Sequence, residues 1–199
     1  MEMFERVAVG ILAGGQSSRM GRDKALLPFN GRTALAIIAE EMRDFPETLV
    51  SAAEPGRLEF LGLPVCYDER RDIGPIEGIR RLLQTAKAEY VFVCAVDMVF
   101  ISREAVHALA RRIRPEYDCY AITRGGVPEP MCAIYSKRAL PAIEGLISRG
   151  CCRPRQIFRE CPTLLVPLES SGLDPETLTN INTPEDYEQA LHACRSTDL

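Results

Sequence analysis

Val7-Ala8-Val9-Gly10-Ile11-Leu12-Ala13-Gly14-Gly15-Gln16-Ser17-Ser18-Arg19-Met20-Gly21-Arg22-Asp23-Lys24 is the stretch on which the reading of this chain turns. It opens with an unbroken apolar run, the pattern of a strand buried on both faces of a parallel sheet. A glycine-rich loop follows, carrying Arg19, Arg22 and Lys24. Glycines let the backbone turn sharply and approach a ligand closely, and their exposed N–H groups form an anion-binding concavity. With fixed cations in the same loop, the combination suits a polyphosphate. The plainer reading is a glycine-rich turn with solvated basic side chains. Gly-x-Gly-x-x-Gly and Gly-x4-Gly-Lys-Ser/Thr are both absent, so the loop is neither a dinucleotide fingerprint nor a P-loop.

Outward from this stretch, strand and helix patterns alternate. Tyr90 to Cys94 reads as a second fully buried strand, with shorter strands at Thr48 to Val50 and Pro64 to Tyr67. Leu26 to Phe29 leads into a turn at Asn30-Gly31. Thr33 is placed to cap a helix through Met42, and Gly74-Pro75 opens one carrying Ile76, Ile79, Leu82 and Leu83 on one face. Ser102 stands at the cap of the next, with Val106, Leu109, Ala110 and Ile113 as its apolar stripe. Strands at Cys119 to Thr123 and Met131 to Tyr135 follow, separated by the turn-rich Gly125-Gly126-Val127-Pro128. Helices at Lys137 to Ser148 and Gln156 to Glu160, a strand at Thr163 to Pro167 and a helix opened by Thr183-Pro184-Glu185-Asp186 complete the series. Such alternation predicts one α/β domain over residues 1–199 with a largely parallel sheet.

Ligands of such sheets sit beyond the carboxyl ends of the strands, which singles out the loops after Leu12 and Cys94. The second loop carries Asp97. A carboxylate there is a natural ligand for Mg²⁺ that keeps several waters and shares a substrate phosphate; a turn or helix-capping aspartate is the plainer alternative. Asp68 and Asp72 flank the approach to Gly74-Pro75-Ile76-Glu77-Gly78, whose glycines again suggest backbone near a ligand.

The 199 residues contain 24 Lys plus Arg against 28 Asp plus Glu, a net charge of −4, with 46 % apolar and 26 % charged residues. That composition excludes disorder, collagen-like and coiled-coil chains. A chain of this length buries roughly 70 % of its unfolded surface, enough for a core without staples. The mild acidity argues against nucleic acid as a partner. No apolar stretch approaches the roughly 20 residues needed to span a bilayer, and the first run lacks the flanks of a signal peptide. A cytoplasmic protein without membrane association is expected. The eight cysteines include no Cys-x-x-Cys pair, so Cys66, Cys94, Cys119 and Cys132 read as buried free thiols, Cys151-Cys152 as an adjacent pair unsuited to a disulfide, and Cys161 and Cys194 as isolated. His107 and His192 fall outside the candidate loops and read as surface residues.

Several segments together carry a resemblance. Leu12 to Gly15, Ser18 to Gly21 and Asp23-Lys24-Ala25-Leu26 resemble the signature loop of the MobA-type molybdenum cofactor guanylyltransferases. Gly74 to Ile79, Val96-Asp97-Met98-Val99-Phe100, Glu129 to Tyr135 and Asn180 to Asp186 resemble further segments of the same family, in order, so that the resemblance spans roughly residues 7 to 190. The resemblance implies a three-layer, Rossmann-like nucleotidyltransferase fold. It implies transfer of GMP from GTP to molybdopterin, with Mg²⁺ as cofactor and pyrophosphate released. In its terms Leu12, Ala13, Gly14 and Gly15 hold the guanine nucleotide, Lys24 and Arg19 neutralise the triphosphate, and Asp97 binds Mg²⁺ and the phosphates. Asp68 contacts the nucleotide, while Arg153, Arg155, Asn180 and Asn182 lie toward the pterin. Transient contact with molybdoenzyme maturation proteins is also implied. Ser51, Val96 and Val99 depart from the family pattern. Transfer from CTP, transfer to a sugar phosphate, and non-catalytic carriage of nucleotide or pterin stay open beside this reading.

Overall fold

The computed structural model describes residues 3–14, 23–56 and 58–196. β1 (Val7–Leu12) is followed by a small hairpin of β2 (Pro28–Phe29) and β3 (Arg32–Thr33). Asn30 and Gly31 turn it with φ of 47° and 84°, the left-handed pair that a two-residue hairpin needs. Thr33 then caps α1 (Ala34–Glu41), its hydroxyl accepting from the N–H of Ala36 at 3.2 Å. β4 (Thr48–Ala52), β5 (Val65–Tyr67), α2 (Pro75–Thr85), β6 (Tyr90–Ala95) and α3 (Arg103–Ala110) follow. The chain continues through β7 (Cys119–Arg124), β8 (Val127–Ser136), α4 (Leu140–Ser148) and α5 (Ile157–Glu160). β9 (Thr163–Pro167), α6 (Leu168–Ser171) and α7 (Pro184–Ser196) complete it.

Seven strands form one sheet in the order β5-β4-β1-β6-β8-β7-β9. All run parallel except β8, which is antiparallel to both β6 and β7. The cause is local: Gly125 and Gly126, both at positive φ, join β7 to β8 directly, and so short a link cannot make a parallel crossover. Pleating divides β1 between two cores. Val7, Val9 and Ile11 face the layer holding α1 and α3, whereas Ala8 and Leu12 face the layer holding α2 and α4. These are the three layers expected. Gly10 and Gly78 let α2 come close to the sheet. A Cβ on Gly10 would meet Leu82 at 2.6 Å, and one on Gly78 would meet Leu12 at 2.6 Å and Ser51 at 2.8 Å.

Three local expectations are revised. Ser102 occupies the cap position of α3 without capping it; Glu41 of α1 accepts from the Arg103 N–H instead, at 3.0 Å. His107 is partly buried, its ring 5.5 Å from that of Phe45. Cys161 is isolated in sequence but not in space, since it hydrogen-bonds Cys119. Cys66, Cys94, Cys119, Cys132 and Cys161 are buried free thiols. No helix among the described residues is long and apolar enough to cross a membrane.

Strand order reverses between β1 and β6. From β1 the chain steps outward to β4 and β5, then returns to place β6 on the other side of β1. The loops leaving β1 and β6 therefore diverge, and the crevice between them is where an open α/β sheet binds its ligand.

Candidate active site

The loop leaving β1 is pinned to both neighbouring strands. The Ala13 N–H donates to Ser51 O at 2.8 Å, and the Val96 N–H donates to Leu12 O at 3.0 Å. Gly14 fits because its missing Cβ would lie 3.3 Å from the Ala53 nitrogen. Farther along, Asp23 accepts from the Ala25 N–H at 3.1 Å and so caps the short turn that begins with Lys24. The Lys24 ammonium donates to Asp97 Oδ2 and to Asn182 Oδ1, each at 2.8 Å. Both members of the Lys24–Asp97 pair keep 20 % of their side-chain surface exposed.

The segment preceding α7 ties these groups together. The Ile181 N–H donates to the Asp97 carbonyl at 2.9 Å. Asp186 Oδ2 accepts from the N–H groups of Asn182 and Thr183, both at 2.9 Å, while its own N–H donates to the Thr183 hydroxyl. This is a capping box with aspartate in the glutamate position. One turn on, Tyr187 sets its ring edge-on to Phe29, 5.1 Å between centroids, and donates its hydroxyl to Pro28 O.

Between these elements opens a cleft of about 310 Å³, within the range of small-molecule sites. Leu12, Ala13 and Gly14 line it from β1, Lys24 and Asp97 from the two loops, and Asn180 and Asn182 from the C-terminal segment. All seven were candidates from sequence. Asp68, Arg153 and Arg155 do not line it, and Gly15 and Arg19 lie outside the described residues. Arg155 is nonetheless close by, its Nε donating to Pro128 O at 3.1 Å. Pro75, Glu129 and Met131 line the cleft with no role foreseen for them, as do Asp23, Ala95 and Val96. Pro75, Glu129 and Met131 had lain inside segments carrying the resemblance. The available signal for the last two was alternation on β8, which puts residues two apart on one face.

Asp68 follows β5, its N–H donating to Ala52 O at 3.1 Å, and its buried Oδ1 lacks a hydrogen-bond partner among the described residues. Burial, with the charge of Glu77 adding to it, pushes its carboxyl up to about 6, against the pull of Arg81 and Arg80. Glu77 and Arg80 form a buried ion pair on α2. Arg80 Nε and Nη2 grip both Glu77 oxygens at 2.8 and 2.7 Å, and Nη2 also reaches Glu69 at 2.7 Å. The Glu69 N–H donates to Glu77 Oε1 at 3.1 Å, which ties the loop after Asp68 onto α2. Of the glycines in this segment Gly78 serves packing, whereas Gly74 directly precedes Pro75, which lines the cleft. Gly78 makes room for Leu12 and Ser51, and Gly74 takes φ 75° ahead of α2.

A divalent cation fits this donor set. Mg²⁺ is held by one or two carboxylates together with substrate phosphates and waters, not by an all-protein cage. Asp97 supplies such a carboxylate, and no cluster of three or more His, Cys, Asp or Glu ligands occurs among the described residues.

A glycine-bearing loop and a lysine–aspartate pair at the switch point of a mostly parallel sheet define an α/β nucleotidyltransferase. The chain belongs to the family of MobA-like NTP transferase domains, whose pattern matches residues 9–164. It is 33 % identical to a Carboxydothermus hydrogenoformans protein named "probable molybdenum cofactor guanylyltransferase", over 94 % of this chain and 96 % of the relative. The Vibrio cholerae molybdenum cofactor guanylyltransferase is 30 % identical, over 92 % and 91 %. The fold matches that of molybdopterin-guanine dinucleotide biosynthesis protein A from Archaeoglobus fulgidus with a TM-score of 0.84, covering 95 % of this chain and 99 % of that one at 23 % identity.

Proposed function

We propose that the protein transfers GMP from GTP to the phosphate of molybdopterin and releases pyrophosphate, with Mg²⁺ as cofactor. One observation carries the chemistry: Lys24 stands 2.8 Å from both Asp97 and Asn182 in a cleft at the switch point. The names of the sequence relatives supply the base and the acceptor.

The acceptor phosphate is already an anion at neutral pH, so no side chain need remove a proton. Its oxygen forms a bond to the α-phosphorus of GTP as the bond to the α–β bridging oxygen breaks. The barrier lies in bringing two polyanions together and in stabilising charge on the departing pyrophosphate. The backbone of Leu12, Ala13 and Gly14 seats the nucleotide. Lys24 exchanges Asp97 and Asn182 for phosphate oxygens, freeing the Asp97 carboxylate to hold the metal. When bound, Mg²⁺ supplies positive charge that neutralises and aligns the triphosphate. Gly15, Arg19 and Asp68 take the nucleotide roles that the resemblance gives them. Asn180, with Arg153 and Arg155, takes the acceptor role that the resemblance gives it. We place the protein in the cytoplasm, where its buried thiols stay reduced.

Calorimetric titration with GTP, CTP, ATP and UTP, with and without Mg²⁺, tests this reading, followed by assay of GMP transfer. GTP alone is expected to bind tightly, and more tightly with Mg²⁺. Preference for CTP would move the assignment to cytidylyl transfer, and absence of nucleotide binding would leave only a carrier.

A further inference from the structure

Glu129 is a carboxylate in a cleft meant for polyanions, where it repels every phosphate near it. Phosphates only accept hydrogen bonds, so neither triphosphate nor pyrophosphate gives it a partner. Its Oε1 accepts from the Met131 N–H at 3.1 Å, and none of the described residues donates to Oε2. A carboxylate oxygen has two lone pairs, so both oxygens remain able to accept. We propose that Glu129 recognises the amino-pyrimidine edge of the pterin acceptor, a specificity contact that rests on the function proposed above.

Sheet order decides which substrate it meets. Across the cleft the sheet runs β4, β1, β6, β8. Leu12 to Gly14 leave β1, Asp97 follows β6, and Glu129 with Met131 come from β8. With the nucleotide seated on the β1 loop and its phosphates at Lys24 and Asp97, the β8 side is left for the acceptor. A pterin offers two parallel donors there, the 2-amino group and N3–H, spaced for the two oxygens of one carboxylate. Guanine carries a similar pair, but its seat lies across Asp97 from β8. Met131 shares the cleft face of β8 with Glu129 and offers a polarisable surface to a flat ring. Arg155, tied to the carbonyl of Pro128, brings a cation to the residue next to Glu129. An acceptor with an amino-pyrimidine head and an anionic tail meets complementary groups.

Glu129→Gln tests the assignment, because the amide keeps the shape and the acceptor for the Met131 N–H while replacing one accepting oxygen with a donor. The KM for molybdopterin is expected to rise about tenfold or more, with the Kd for GTP within about twofold of wild type. A merely structural role would not produce the second readout. On GTP-loaded wild type, 2-amino-4-oxopteridine should bind about tenfold more tightly than 2,4-dioxopteridine, and the variant should lose that preference. An unchanged acceptor KM, or a wild type indifferent to the 2-amino group, overturns the proposal. Loss of GTP affinity equal to the loss for the acceptor would move Glu129 to the nucleotide side and overturn it too. A wild type that transfers no GMP refutes the functional reading instead, and the paired pteridine titration then still judges Glu129 alone.

Discussion

Lys24 meets Asp97 at 2.8 Å in the cleft, and Arg80 meets Glu77 at 2.7 Å on α2. The bonds are alike in length and opposite in setting. The cleft pair keeps a fifth of its surface exposed, whereas the Arg80 and Glu77 side chains are 4 % and 0 % exposed. A partly solvated pair is weakly bound and can part when phosphate and metal arrive. A desolvated pair with its lone pairs satisfied cannot part without stranding a charge. The first is the pair proposed to act on the substrates; the second is scaffold. The comparison breaks if the two respond alike to mutation. Arg80→Ala leaves Glu77 buried without its cation and should cost about 3–5 kcal/mol in chemical unfolding. The double variant Glu77→Gln/Arg80→Met, which removes both charges, should recover much of that loss. A single-variant cost below about 1 kcal/mol would show that solvent reaches the pair.

The cleft pair should invert this pattern. Lys24→Ala is expected to lower GMP transfer on the order of 10²-fold or more, while changing unfolding free energy by no more than about 1 kcal/mol. Asp97→Asn should likewise leave the fold intact and abolish the Mg²⁺ response of turnover. Equal damage to stability and activity in Lys24→Ala would make the pair structural, and the distinction between the two regions would collapse.

The difference between the pairs also marks what the sequence could reveal. Lys24 and Asp97 each follow a run of buried strand pattern, so local signals reached them. Most other elements were equally readable, because Thr33, Gly74-Pro75 and Thr183-Pro184 punctuate the chain with caps that depend on neighbours a few residues away. Even the direction of β8 was implicit in Gly125-Gly126. Glu77 and Arg80 were not readable. On a helix, charges three residues apart look like a surface pair, and only docking of the loop after β5 and of α4 buries them. Glu129 escaped for a related reason, since its role depends on which strand lies beside β6. Arg153 and Arg155 entered through resemblance alone, and Asp68 also through its place ahead of Gly74-Pro75; none of the three lines the cleft. Close approaches at Gly10 and Gly78 likewise reflect tertiary packing of α2, which glycine spacing does not disclose.

Asp68 sharpens the comparison because it feels the charges of the scaffold pair yet is assigned to the site by the resemblance. Burial, with Glu77 as a nearby like charge, pushes its carboxyl from 3.8 up to about 6 despite Arg80 and Arg81. Glu77 itself goes the other way: burial would raise it, but the Arg80 guanidinium and the Glu69 and Arg70 N–H groups outweigh that and hold it below the usual carboxylate range. The two therefore have opposite linkage. Glu77 contributes stability that is present above its unfolded pKa and lost on acidification. Asp68 is neutral in both states at low pH, then ionises first in the unfolded chain, so its contribution is lost as pH rises from about 4 to about 6. Asp68→Asn should accordingly raise the Tm at pH 7.5, with the gain vanishing near about pH 4. A gain independent of pH would show that something other than this ionisation limits stability. If Asp68 also contacts the nucleotide, the stabilised variant should bind GTP more weakly, an exchange of stability for function. A variant both more stable and undiminished in GTP affinity would separate Asp68 from the site and leave its buried oxygen without a functional reason.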